Sequence, residues 1–221
     1  SLDEKELELE DEFRLTSIIG DSPPMRRILT ALPEIAAASI TVLLTGESGT
    51  GKDLLARAIH TLSPLRTRPF LSESCASLPE GLLEVELFGS VRGAYTDAIA
   101  DRPGLFERVA GGTLYLDEVS AVPAAVQARI VRALEEKMVR RIGGEEPIAT
   151  SFRLISSSRR PGSEIEKDPT FRRDFYYRIR GIEVSLPPLR ERAEDVPALV
   201  DAILDRWARD GRGKKPRIED A

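Results

Sequence analysis

Residues 46–53 read Gly46-Glu47-Ser48-Gly49-Thr50-Gly51-Lys52-Asp53. Glycines at 46, 49 and 51 let the backbone curl until its N–H groups point inward, an arrangement that cradles phosphate oxygens. Lys52 adds a point charge for the outer phosphates, and a helix beginning there adds the positive end of its dipole. The spacing is G-x-x-x-x-G-K, a phosphate-binding loop. The next residue, a Mg2+-holding Ser or Thr in that pattern, is Asp53 here. A carboxylate can still hold the metal, directly or through water.

A second constellation lies downstream. Thr113-Leu114-Tyr115-Leu116 is an apolar run closed by two carboxylates, Asp117 and Glu118. Adjacent acids often do no more than cap a helix. Behind a strand-like run and after a phosphate loop, they divide a task. Asp117 orients Mg2+ or its water, and Glu118 polarises the water that attacks the outer phosphate. A guanine-reading N/T-K-x-D is absent, and the chain has no Asn at all. The pair therefore points to ATP, and to its hydrolysis.

These groups need a scaffold, and the apolar pattern predicts one. Residues 40–45 (ITVLLT) form a short β-branched run, as in a buried parallel strand. Residues 52–60 then place Leu54, Leu55, Ala58 and Ile59 on one helical face. A strand is expected over 68–74, and a helix over 78–89 with Pro79 in its first turn and Gly89 just past its end. Residues 113–118 are a strand. Residues 123–137 are an amphipathic helix, with Val126, Ile130, Val131 and Leu134 three and four apart. Strands at 152–158 and 181–186 complete an alternation that predicts a parallel sheet covered on both faces. PPLRER (187–192) breaks the pattern, and a helix over 195–208 follows. His60 is expected in a surface or helix-C-terminal dipole role, Cys75 packed and inert, and Arg159-Arg160 in a solvated turn in preference to a subunit interface.

The whole chain sets wider bounds. Its 221 residues are 41% hydrophobic and 31% charged, an ordinary globular balance. The single Cys75 allows no internal disulfide, the acidic start has no signal-peptide core, and no apolar run reaches the roughly 20 residues of a membrane span. A cytoplasmic protein without membrane contact is expected. A net charge of −5 argues against direct DNA contact by this segment. Residues 1–15 read as an acidic linker or the end of a preceding domain.

Several longer strings, in order, resemble the AAA+ ATPase domain of sigma-54-dependent transcriptional activators, the bacterial enhancer-binding proteins. They are IIGDSPPMRRIL (18–29), VLLTGESGTGKD (42–53), ELFGSVRGAYTDA (86–98), RPGLFERVAGGTLYLDEV (102–119), FRRDFYYRI (171–179) and SLPPLRER (185–192). The resemblance implies a three-layer α/β/α P-loop NTPase over 16–190, with a parallel sheet, and the incomplete beginning of a helical lid over 191–221. It implies ATP and Mg2+ as cofactors, a homo-oligomeric ring (usually a hexamer), and sigma-54 RNA polymerase as the remodelled partner. Arg172 and Arg178 match the arginine-finger region that reaches a neighbour's γ-phosphate. Gly93-Ala94-Tyr95-Thr96-Asp97-Ala98 matches the sigma-54 contact loop.

The chain departs from that pattern at Asp53 and at three further positions. Asp97 replaces the second glycine of the contact loop. Ser74 stands at the glutamate-switch position and Ser158 at the sensor I position, where the family has Asn. Serine keeps one donor but loses the amide's reach. The sequence stops before the lid motif W-P-G-N-V-R-E-L. Asp97, Ser74 and Ser158 also fit a second reading, a regulatory module that binds nucleotide and oligomerises without engaging sigma-54.

Overall fold

The computed structural model describes residues 18–95 and 98–209. Expectations placed on residues 1–15, on Thr96 and Asp97, and on residues 210–221 lie outside the described residues. In chain order the elements are α1 (Pro23–Ala37), β1 (Val42–Thr45), α2 (Lys52–Thr61), β2 (Phe70–Ser74), α3 (Glu80–Phe88), β3 (Gly89–Ser90), β4 (Arg102–Pro103), α4 (Leu105–Arg108) and β5 (Thr113–Asp117). There follow α5 (Ala124–Glu136), β6 (Met138–Val139), β7 (Ile148–Ala149), β8 (Arg153–Ser158), α6 (Gly162–Ile165), α7 (Arg173–Ile179), β9 (Ile182–Ser185) and α8 (Val196–Arg209).

Five strands make one sheet in the order β2-β5-β8-β1-β9, with parallel pairings throughout. Successive strand side chains point to opposite faces, so a strand covered on both sides is expected to be apolar along most of its length. Val42, Leu44, Tyr115 and Ile155 pack into the layer of α1 and α2. Leu43, Leu114, Leu116 and Leu154 pack into the layer of α3, α4, α5 and α7. The predicted three-layer α/β/α order holds.

Helix α1 was not expected from the pattern. Its buried Met25, Leu32, Ile35 and Ala36 do follow a helical spacing, but Pro23, Pro24 and Pro33 obscure it. The two prolines in its first turn lack only N–H groups that have no helical partner there. Two small hairpins, β3–β4 and β6–β7, also escaped the periodicity, being two residues per strand. His60 is a correction: it is buried, with Nδ1 2.8 Å from Thr113 Oγ1, because α2 lies flat on the sheet beneath it. Leu54 turns out to be 39% exposed, while Leu55, Ala58 and Ile59 carry the buried face.

Candidate nucleotide site and contact loop

The loop of residues 46–51 joins the buried end of β1 to the first turn of α2. Gly46 sits at φ +144°, and a Cβ there would lie 2.7 Å from Leu186 O, so no other residue fits without a shift. Its N–H donates to Ser158 O at 3.1 Å, which anchors the loop to β8. Lys52 Nζ folds back to donate to Gly46 O at 2.7 Å and Glu47 O at 2.9 Å. Thr50 Oγ1 donates to Glu47 O at 2.9 Å. Burial lowers the Lys52 pKa, the charges of Asp117 and Glu118 raise it, and that of Arg159 lowers it, leaving it below the usual lysine value. Strand β8 brings the loop and the acidic pair together, because Ser158 O holds Gly46 N–H and Ser157 Oγ bonds Asp117 and Glu118.

The segment after β9 closes over the loop. Arg190 grips the Glu47 carboxylate with two hydrogen bonds, of 2.8 and 2.6 Å. Arg192 is buried and donates to Thr50 O at 3.0 Å. Asp195 accepts from the Asp21 and Ser22 N–H groups at 2.6 and 2.7 Å and from Ser22 Oγ at 2.7 Å, tying this segment to the start of α1. Between them lies a cavity of about 380 Å³ bordered by loop residues 47–51 and by Ile18, Ile19, Met25, Leu186 and Leu199. An apolar slot beside a phosphate-binding loop suits a flat aromatic base. Sequence reasoning missed these two arginines and Asp195.

Asp117 and Glu118 stand at the end of β5, beside the end of β8. Asp117 Oδ1 accepts from Tyr115 OH at 3.1 Å and from Ser157 Oγ. Glu118 adopts a left-handed backbone at φ +58°, uncommon for a side-chain-bearing residue, and its N–H donates to Ser157 Oγ at 3.0 Å. Its carboxylate accepts from Ser120 Oγ and is paired with Arg159 Nε at 3.0 Å. Arg159 and Arg160 do lie in a bend after β8, with side chains 64% and 36% exposed, but each has an ion-pair partner: Glu118 for Arg159 and, at 2.6 Å, Asp168 for Arg160.

The serines at the two asparagine positions are not the ones bonded to the acids. Ser158 Oγ accepts from Arg160 N–H at 3.0 Å, whereas Ser157, one residue earlier, bridges Asp117 and Glu118. Ser74 faces Asp117 in the β2–β5 register, and its N–H donates to Glu73 Oε1 at 3.0 Å. Asp53 lies exposed in the first turn of α2, its Oδ2 3.1 Å from Arg57 Nε. Among the described residues no three of His, Cys, Asp and Glu converge as a metal cage. One carboxylate beside a phosphate loop is nonetheless the donor set Mg2+ uses when phosphate and water supply its other ligands.

The two expected arginine fingers point to different partners. Arg172, just before α7, makes two hydrogen bonds to the Asp174 carboxylate, of 3.0 and 2.6 Å, and is exposed. Its N–H is held by Gln127 Oε1 at 2.8 Å, a role for the chain's single glutamine. Arg178 turns to α5 and donates to Leu134 O at 3.1 Å.

The loop expected to contact sigma-54 lies between β3 and β4. Gly93 N–H donates to Ala98 O at 2.8 Å, and Ala98 N–H to Tyr95 O at 3.0 Å, which closes its base. Ala98 is buried, while Tyr95 is 43% and Ile99 85% exposed. The loop between β6 and β7 braces it: Ile142 bridges to Ser90, and Gly143 at φ +74° leaves only 2.8 Å between an added Cβ and that of Ala94. Arg141 adds a forked pair to Glu107, at 2.9 and 2.8 Å, and reaches Asp101 at 3.3 Å.

Residues 18–185 match the family described as the sigma-54 interaction domain. The chain is 45% identical over 199 residues to the Nif-specific regulatory protein of Rhizobium etli, covering 90% of this chain and 34% of that protein. It is 42% identical over 193 residues to the response regulator protein PilR of Pseudomonas aeruginosa, covering 87% of this chain and 43% of the relative. The crystal structure of NtrX from Brucella abortus in complex with ADP superposes with a TM-score of 0.84 at 32% identity, over 96% of this chain and 46% of that one. The chain thus spans less than half the length of these relatives. A phosphate loop facing an acidic strand end on a five-stranded parallel sheet, in a sequence matched over residues 18–185, makes this chain a member of the sigma-54 interaction domain family of AAA+ P-loop NTPases.

Proposed function

We propose that this chain is the ATP-hydrolysing motor of a sigma-54-dependent transcriptional regulator, and that it remodels sigma-54 RNA polymerase. The observation that carries the reading is that β8 ties the phosphate loop to the acidic end of β5: Gly46 N–H donates to Ser158 O while the neighbouring Ser157 Oγ bonds both Asp117 and Glu118. Residues 46–51 offer backbone N–H groups to the phosphates. Lys52 already spends two of its three donors on loop carbonyls, so its ammonium is held where the outer phosphates arrive. The base enters the slot beside Ile18 and Leu199, under Arg190 and Arg192. Mg2+, when bound, neutralises charge on the phosphate oxygens. Asp117 would hold it or its water, and Asp53 would be the second carboxylate available to it. Glu118 orients and polarises the attacking water. Ser157 keeps both acids in place.

Arg172 and Arg178 are read as groups for a neighbouring subunit's pocket in a ring, a hexamer by family likeness. Exposed and, among the described residues, paired with Asp174, Arg172 is the readier of the two to leave its partner. An arginine supplied in trans is worth about 10³–10⁵ in rate in other phosphoryl-transfer enzymes. The loop of residues 93–98 is the polymerase-facing part, with Tyr95 as its exposed aromatic.

The test is ATP turnover and capture of sigma-54 by the natural full-length protein trapped with a transition-state analogue. Turnover with capture is expected. Turnover without capture would leave the ATPase and remove the remodelling claim. Nucleotide binding without turnover would favour the regulatory module.

A further inference from the structure

Both Glu118 carboxylate oxygens are occupied. Oε2 lies 3.0 Å from Arg159 Nε, while Oε1 accepts from Ser120 Oγ and, at 3.4 Å, from Arg159 N–H. A group that must polarise water is thus held by its own chain. The partners differ in freedom: the Glu118 side chain is 12% exposed and that of Arg159 is 64% exposed. The acid is fixed by burial and by a left-handed backbone, whereas the guanidinium sits on a long, largely solvated arm. The same guanidinium is near enough to act on the Lys52 ammonium, the charge that marks the phosphate position.

A planar guanidinium binds phosphate oxygens in the same forked way as a carboxylate. We propose that Arg159 is a positioning residue: it pairs with Glu118 in the nucleotide-free chain and exchanges that carboxylate for phosphate oxygens of a bound nucleoside triphosphate. Glu118 is freed only when there is something to hydrolyse. The inference rests on the reading of Glu118 as the water-polarising group. An exposed surface pair would carry little consequence; here one member is buried and belongs to the acidic site.

The sign of a coupling tests the exchange. Affinity for a non-hydrolysable ATP analogue is measured on the natural full-length protein and on Arg159→Ala, Glu118→Gln and the double variant. Arg159 is mostly exposed and Gln is isosteric with Glu, so all should fold. If the pair breaks on binding, Glu118→Gln tightens the analogue more when Arg159 is present, by about fivefold over its effect in the Arg159→Ala background. Arg159→Lys restores part of that difference. If Arg159 stays with Glu118, the gain is equal or larger without Arg159, and the exchange is overturned. ATP turnover of Glu118→Gln is measured in parallel. Unchanged turnover refutes the role of Glu118, whereas the binding cycle alone judges the exchange. Failure of the unmodified protein to bind the analogue overturns both.

Discussion

Replacing Asp195 by Ala removes one buried carboxylate and the acceptor of three hydrogen bonds, from Asp21 N–H, Ser22 N–H and Ser22 Oγ. Asp195 is 1% exposed and Ser22 also 1%, so water replaces those contacts poorly. Hydrogen bonds to a charged group contribute about 1.5–3 kcal/mol, and three sharing one acceptor do not add fully. The expected loss is about 3 kcal/mol, or about 6–12 °C in Tm for a domain of this size. The loss should reach the cavity, because Asp195 holds the segment of Arg190 and Arg192 against the start of α1. Urea denaturation can be followed by far-ultraviolet circular dichroism and by fluorescence of Trp207, the single tryptophan, which is half-buried on α8. Asp195→Asn keeps an acceptor and should cost about half as much. Burial pushes the Asp195 carboxyl up, but the hydroxyl and amide of Ser22 and the amide of Asp21 outweigh it, so its pKa lies below the ordinary value. A depressed folded pKa gives stability that is present above the unfolded value, about 3.9, and lost as pH falls through the folded one. Asp195→Asn should lack that part of the acid loss. An Asp195→Ala protein within about 0.5 kcal/mol of the unmodified one would refute the argument that this carboxylate clasps α1 to the lid-side segment.

Lys52→Ala should weaken ATP binding by about 10–100-fold, read by calorimetric titration, because a charged donor to the phosphates is lost; wild-type affinity would remove the role given to this lysine. Glu118→Gln should keep nucleotide affinity within an order of magnitude while turnover drops about 10²–10⁴-fold in a coupled phosphate-release assay. Gly46→Ala forces a Cβ to 2.7 Å from Leu186 O at φ +144° and should abolish nucleotide binding while lowering Tm; normal binding would show that the loop can move aside. Cys75 is 2% exposed, and burial, with Glu73 next in effect, pushes its thiol up to about 12. It should resist iodoacetamide at pH 8 in the folded protein and react once unfolded; rapid native labelling would contradict its burial.

Much of the sheet was legible because its central strands carry apolar runs buried on both sides. Residues 42–45 are buried throughout, as are residues 153–158, even where the residues are serine. The limits appeared where that code failed. The serines of 156–158 carry no apolar signal, so the sequence could not say which would turn to the acids; Ser157 does, and Ser158 does not. The two-residue strands of the hairpins are too short for any period to register. Ser22 stands at the position just before α1, yet its hydroxyl donates to Asp195 and does not cap the helix.

The sequence alone determined the chemistry available: three glycines and a lysine at fixed spacing for phosphate, and two acids behind an apolar strand for metal and water. These depend on residues within eight positions of one another, where chain geometry dictates what can meet. Tertiary structure decided how that chemistry is held. Strand β5 lies beside β8, so Ser157 and Arg159 come to Asp117 and Glu118 across about 40 positions of sequence. The segment after β9 returns over the loop, so Arg190 and Arg192 close on Glu47 and Thr50 from more than 140 positions away. Strand order is set by how whole layers bury their apolar faces, a property of the sum of the chain and not of any local string.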